Sequence, residues 1–135
     1  MHLQLNTDGG SRNNPGPAAS AFILRNNGEI IHQFHKAIGN ATNNIAEYTA
    51  LLEGLLYIQS LQKNEKIIDL SIIADSLLMI RQIEGKYKIK DQTLRGFAQK
   101  IHQILSTFTF PYTLKHVLRE YNSEADTLVK KSLGL

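Results

Sequence analysis

Apolar positions in the first forty residues follow a strand's period of two, and those of the later segments a helix's period of three to four. His2 to Asp8 alternates around Leu3 and Leu5, Ala19 to Arg25 is an apolar run, and Glu29 to Ile38 follows the turn signal Asn26-Asn27-Gly28. Together they predict a three-stranded antiparallel meander. Asn43 or Asn44 can cap a helix that carries Glu47, Leu51, Gly54, Leu55 and Ile58 on one face and runs to Leu61. Ile67 to Ala74 is apolar on both faces and stops at Asp75, the pattern of a central strand covered on both sides.

A short helix is expected over Ser76 to Ile83, ending at Gly85, and a longer one from Asp91 to Thr107 with Leu94, Ala98, Ile101 and Leu105 inward. Pro111 opens a last strand, Tyr112 to Leu118, and Asn122 caps a final helix whose Ala125, Leu128 and Val129 face the core. The order βββαβααβα describes an α/β fold, a mixed sheet flanked by helices. No repeat, low-complexity tract or Pro/Ser-rich linker interrupts the 135 residues, so residues 1–135 are expected to form one domain.

Composition narrows the chemistry. The absence of cysteine removes disulfides and thiolate metal sites, so any metal must be held by oxygen or imidazole. The N-terminus lacks a signal pattern and no apolar run approaches the roughly 18 residues that span a bilayer, which predicts a cytoplasmic protein without a membrane partner. A net charge of +3 permits a nucleic-acid partner without requiring one. Its distribution is uneven: Arg81 to Lys100 holds six cations against two anions, leaving the rest of the chain at −1. Lys86, Lys88 and Lys90 are therefore auxiliary contact candidates, with a solvated surface as the alternative.

Four acids stand where folding alone would not place them. Asp8 ends the first strand, Glu47 lies on the buried stripe of the first helix, Asp75 ends the apolar fourth strand, and Asp126 sits beside Ala125 and Val129. Taken singly, each has an ordinary role as a turn residue or as an acid in a helix's first turn. Brought together they would repel one another unless divalent cations occupied the space between them, and oxygen-only ligation favours Mg²⁺ or Mn²⁺. Periodicity does not show that they meet.

The segments TDGGSRNNPGP (Thr7 to Pro17), TNNIAE (Thr42 to Glu47), IIADS (Ile72 to Ser76) and REYNSEADTL (Arg119 to Leu128) resemble, in order and over nearly the whole chain, the pattern of type 1 ribonuclease H. That resemblance implies a ribonuclease H-like fold with a five-stranded mixed sheet in the order 3-2-1-4-5. It implies Asp8, Glu47, Asp75 and Asp126 as catalytic, metal-binding carboxylates, with two ions present when substrate is bound. It further implies hydrolysis of the RNA strand of an RNA·DNA hybrid to 5′-phosphate and 3′-hydroxyl ends. Gly10, Ser11, Asn14, Thr42, Asn43 and Asn44 become the substrate contacts, the asparagines offering donors and acceptors to ribose 2′-hydroxyls and base edges.

The chain departs from many bacterial relatives in two ways. The glycine- and histidine-rich loop before the last helix is missing. His116 is read as a strand residue, because Val117 and Leu118 continue the apolar pattern, and His2, His32, His35 and His102 are read as surface residues. The form HVLREYNSEAD is similar to the branch, found among archaea, that lacks this loop, and Arg119 is the auxiliary candidate there. A guanidinium cannot serve as a base at neutral pH, so it would bind phosphate. The long basic handle helix is also absent. A monomer is expected, with double-stranded RNA as a further partner open to test. A noncatalytic hybrid-binding module, a retroelement polyprotein domain and a structure-specific DNA nuclease are the alternatives on this fold.

Overall fold

In the computed structural model, which describes residues 1–135, strands β1 (His2–Ser11), β2 (Gly16–Asn26) and β3 (Glu29–Ala41) form the antiparallel meander. Strand β4 (Asp69–Ala74) pairs parallel with β1, and β5 (Tyr112–His116) pairs parallel with β4. One sheet results, in the order β3-β2-β1-β4-β5. The helices are α1 (Asn43–Leu61), α2 (Leu77–Ile83), α3 (Gln92–Leu105) and α4 (Ser123–Ser132), the last entered through a 3-10 turn at Arg119–Asn122. No helix is long and apolar enough to cross a membrane.

Strand alternation sends one set of side chains to each face of the sheet. On one face Leu3, Leu5, Phe22, Leu24 and Ile72 meet Leu51, Leu55, Ile58, Ile80 and Ile101 from α1, α2 and α3 in the main core. On the other, Ala19 and Ala21 meet Val129 of α4, with Leu128 and Leu133 packed at the edge. The alanines leave room for α4 to lie close to the central strands.

Several boundaries differ from the sequence reading, each for a pairing reason. β1 continues past Asp8 to Ser11 because its ladder with β2 runs on to Ser11↔Ala18, although the ladder with β4 ends at Thr7↔Ala74. β3 likewise extends to Ala41, paired with Gly16. The cap of α1 is Thr42, whose Oγ1 accepts from the Ile45 N–H at 3.1 Å, so Asn43 and Asn44 are helical rather than capping. β4 begins at Asp69 rather than Ile67. β5 stops at His116 because its partner β4 has ended; Val117 donates one last bond to the Ala74 carbonyl at 3.0 Å, and Leu118 turns out to solvent. His116 is a strand residue, as expected. His32 is not a plain surface residue, since it is half-buried and its ring stacks on Tyr57 at 4.0 Å.

Strand β1 and helix α1 approach one another closely at Gly9. A Cβ built on Gly9 would overlap the Ala46 carbonyl carbon and oxygen and lie 2.5 Å from the Glu47 nitrogen. These are backbone atoms that cannot rotate away, so glycine is required by space. At Gly54 the corresponding obstacle is only the Leu5 side-chain end at 2.9 Å. Gly9→Ala is expected to lower the free energy of unfolding by about 3 kcal/mol. Gly54→Ala, whose overpacking is partly offset by about 1 kcal/mol of helix propensity, should lose clearly less. Denaturant titration of both variants checks this; equal losses would contradict the assigned contact.

Candidate active site

The acids converge through sheet register. Thr7 and Ala74 are the last partners of the parallel β1/β4 ladder, so Asp8 and Asp75 are the next residue on each of two adjacent strands. This is the carboxyl end of a parallel pair, where α/β sheets present ligand sites. The contact of Gly9 with Ala46 then brings the following residue of α1, Glu47, against Asp8. Oxygens of Asp8, Glu47 and Asp75 all lie within 4.8 Å of one another, a spacing that could hold a metal ion. Asp126, from the first turn of α4, stands outside that triad but lines the same cleft of about 310 Å³ with Asp8 and Glu47. Its Oδ2 is paired with Lys130 Nζ at 3.0 Å, one helical turn on.

Burial and mutual repulsion dominate the electrostatics. Asp8 is 5% exposed and Glu47 7% exposed. Burial, then the charges of Asp75 and Asp126, push Asp8 from 3.8 up to about 7; the Gly9 N–H and Arg119 act against the rise. Glu47 is held well above its ordinary value by burial first and then by Asp8 and Asp75, with Arg119 opposing. One Glu47 oxygen, Oε2, is buried with no hydrogen-bond partner in the protein. An orphaned carboxylate oxygen in a cluster of raised acids fits a bound cation, because a divalent ion supplies both the missing partner and the missing charge.

The residues singled out as substrate contacts frame this cleft, and several are already tied to one another. Asn43 Oδ1 accepts from the Ser11 N–H at 2.9 Å and from its hydroxyl at 3.2 Å, while Asn14 Oδ1 accepts from the Asn43 N–H at 3.0 Å. The β1–β2 hairpin is thereby fastened to the N-terminus of α1. Gly10 and Ser11 line the cleft with Asn43, Thr42 caps the helix below, and Asn44 is exposed with no protein partner. Arg119 lines the cleft too and acts on both buried acids. Lys86, Lys88 and Lys90 are not among the lining residues; they are exposed in the α2–α3 connection, and Lys86 leans on Glu84 at 3.6 Å.

Two further residues act at the site, one without a role in the sequence reading and one read there as a helix cap. Lys130 looks like an ordinary surface lysine, and only its spacing of four from Asp126 marks it. Asn122 fits a helix cap, yet its side chain makes no cap bond and instead donates to the Thr7 carbonyl at 2.8 Å and to Asp75 Oδ2 at 3.3 Å.

Residues 6–132 match the family described as reverse transcriptase-like. A ribonuclease HI of Halobacterium salinarum is 35% identical over 127 residues, covering 93% of this chain and 61% of that protein. A bifunctional protein of Mycobacterium tuberculosis is 31% identical over 135 residues, covering 98% of this chain and 36% of its own. The chain thus spans less than two thirds of these relatives. Among solved structures, LC11-RNase H1 in complex with an RNA/DNA hybrid superposes with a TM-score of 0.91 at 34% identity, over 98% of this chain and 96% of that one. The strand order, the acid-lined end of the parallel pair and these matches along nearly the whole length agree: the chain belongs to the reverse transcriptase-like family, and within it to the type 1 ribonuclease H group.

Proposed function

We propose that residues 1–135 form one catalytic domain that hydrolyses the RNA strand of an RNA·DNA hybrid, leaving 5′-phosphate and 3′-hydroxyl ends. The observation that carries this reading is the set of three carboxylates with oxygens within 4.8 Å, one of them buried without a partner, in a chain of this family. The hybrid bound by LC11-RNase H1 supports the substrate class.

Asp8, Glu47 and Asp75, with Asp126 across the cleft, are the residues that would hold Mg²⁺ or Mn²⁺. Two such ions, when bound, supply activation of water and charge neutralisation at the leaving oxygen. The chain's own contribution is placement. The hairpin fastened to α1 presents Gly10, Ser11, Asn14 and Asn43 as one rigid edge, beside which Asn44 remains free to meet a 2′-hydroxyl or base edge in the minor groove. Thr42 orients that edge by capping α1 and serves a phosphate of the DNA strand. Arg119 faces the acids with a fixed positive charge suited to a phosphate oxygen. Lys86, Lys88 and Lys90 add salt-sensitive attraction for the backbone.

The decisive experiment incubates labelled RNA·DNA hybrid, double-stranded RNA and double-stranded DNA with the protein, with and without Mg²⁺ or Mn²⁺. Metal-dependent cutting of the hybrid is expected; binding without cleavage would favour a noncatalytic module. Asp8→Asn should abolish cleavage while retaining the fold and measurable hybrid affinity, checked by circular dichroism and a binding assay.

The raised acids set a pH dependence. Asp8 and Glu47 must both lose their protons to ligate an ion, so divalent affinity measured calorimetrically is expected to fall as pH drops through about 7, where Asp8 takes up its proton. Stability of the metal-free protein runs the other way. The folded state holds a proton on Asp8 between 3.8 and about 7 that the unfolded state releases, so this contribution is full below 3.8 and is lost as pH rises through that window. Melting curves of metal-free wild type should fall across this window more steeply than those of Asp8→Asn, and saturating divalent ion should reverse the loss. Parallel curves for the two proteins would refute the assignment.

A further inference from the structure

β1 is a central strand, yet its positions Gln4, Asn6 and Asp8, all on one face by the period of two, are polar. Asp8 belongs to the acid cluster; the other two need a separate reason. Asn6 is 7% exposed and Asn122, which reaches it from the 3-10 turn, is 2% exposed. Gln4 Nε2 donates to Asn6 Oδ1 at 2.8 Å, Asn6 Nδ2 donates to Asn122 Oδ1 at 3.1 Å, and Asn122 Nδ2 divides between the Thr7 carbonyl and Asp75 Oδ2.

The direction of this chain is forced. A backbone carbonyl only accepts, and so does an ionised carboxylate, so the end of the Asn122 amide facing Thr7 and Asp75 must be its NH₂. Its oxygen then faces Asn6, which must donate, leaving the Asn6 oxygen for Gln4. Reversing any one amide sets two oxygens or two NH₂ groups against each other inside the protein, a penalty of the kind that makes buried polar networks all-or-none. If Asn122 served only to begin α4, its side chain would bond to that helix, and it does not.

We propose that Gln4, Asn6 and Asn122 form a positioning relay that fixes the Asp75 carboxylate in the orientation that ligates a divalent ion, with Asn6 acting through Asn122. This rests on Asp75 being an ion ligand, as in the proposed function. Outer hydrogen bonds to ligating carboxylates orient them, and losing one typically weakens metal binding tenfold or more.

The test titrates Mn²⁺ into the intact protein by calorimetry and measures kcat and KM for hybrid cleavage, in wild type, Asn6→Ala, Gln4→Ala and Asp75→Asn. Ile104→Ala, on α3 and outside the cleft-lining residues, controls for lost stability. Asn6→Ala is expected to weaken Mn²⁺ binding about tenfold and to lower kcat at limiting ion with KM for the hybrid unchanged; excess ion restores the rate. Gln4→Ala, at the half-buried outer end, should weaken binding in the same sense but by less than Asn6→Ala, and decides the matter alone if Asn6→Ala does not fold. Ile104→Ala should melt earlier with unchanged ion affinity. The relay is overturned if Asp75→Asn loses ion binding while both amide variants bind Mn²⁺ as wild type does. If Asp75→Asn itself binds normally, the ligand assignment beneath the relay falls and takes the relay with it.

Discussion

Asp8, Glu47 and Asp75 stand too close together, and two of them too deep, for all three to carry charge without a cation among them. They cannot drift apart, because the strands that bear Asp8 and Asp75 are hydrogen-bonded neighbours and the helix bearing Glu47 is pressed against Gly9 by backbone contact. Repulsion is thus built into the fold rather than relieved by it. The raised proton affinity of Asp8 and Glu47 is the metal-free protein's way of bearing that load. The strain is kept at one end of the sheet, where the parallel ladder has stopped and the cleft is open, while the main core beneath it is apolar.

The elements were legible in the sequence to the extent that they are local. Periodicity placed every strand and helix, and the abrupt end of an apolar strand at Asp75 and an acid on the buried stripe at Glu47 were visible as anomalies. The convergence of the acids was not, because it depends on which residue of β1 lies beside which residue of β4 and on how closely α1 can approach, both of which are long-range facts. The sequence motifs and their resemblance to a known family supplied what periodicity could not. Strand ends were misplaced for the same reason: β1 continues past Asp8 because β2 continues to pair with it, and β5 stops because β4 does.

Errors of side-chain role followed a second pattern. Asn122 before a helix looks like a cap, yet it is buried against Asn6 of β1, because α4 and its leading turn cover that face. Polar residues under a covering element read as exposed until the cover is known. Asn43 and Asn14, expected as substrate contacts, also hold the hairpin to α1.

The two faces of the sheet are unequal in what they bury. Asp8, Glu47 and Asp75 are carried by elements of the large apolar core, whereas Asp126 rides on α4, which rests on Ala19 and Ala21, a few aliphatic neighbours and the ion pair between Arg25 and Glu124. Small side chains bury little area, so detaching α4 takes less free energy than unfolding the whole domain. The wall of the cleft that carries Asp126 is therefore held by less apolar burial than the wall that carries the other three acids.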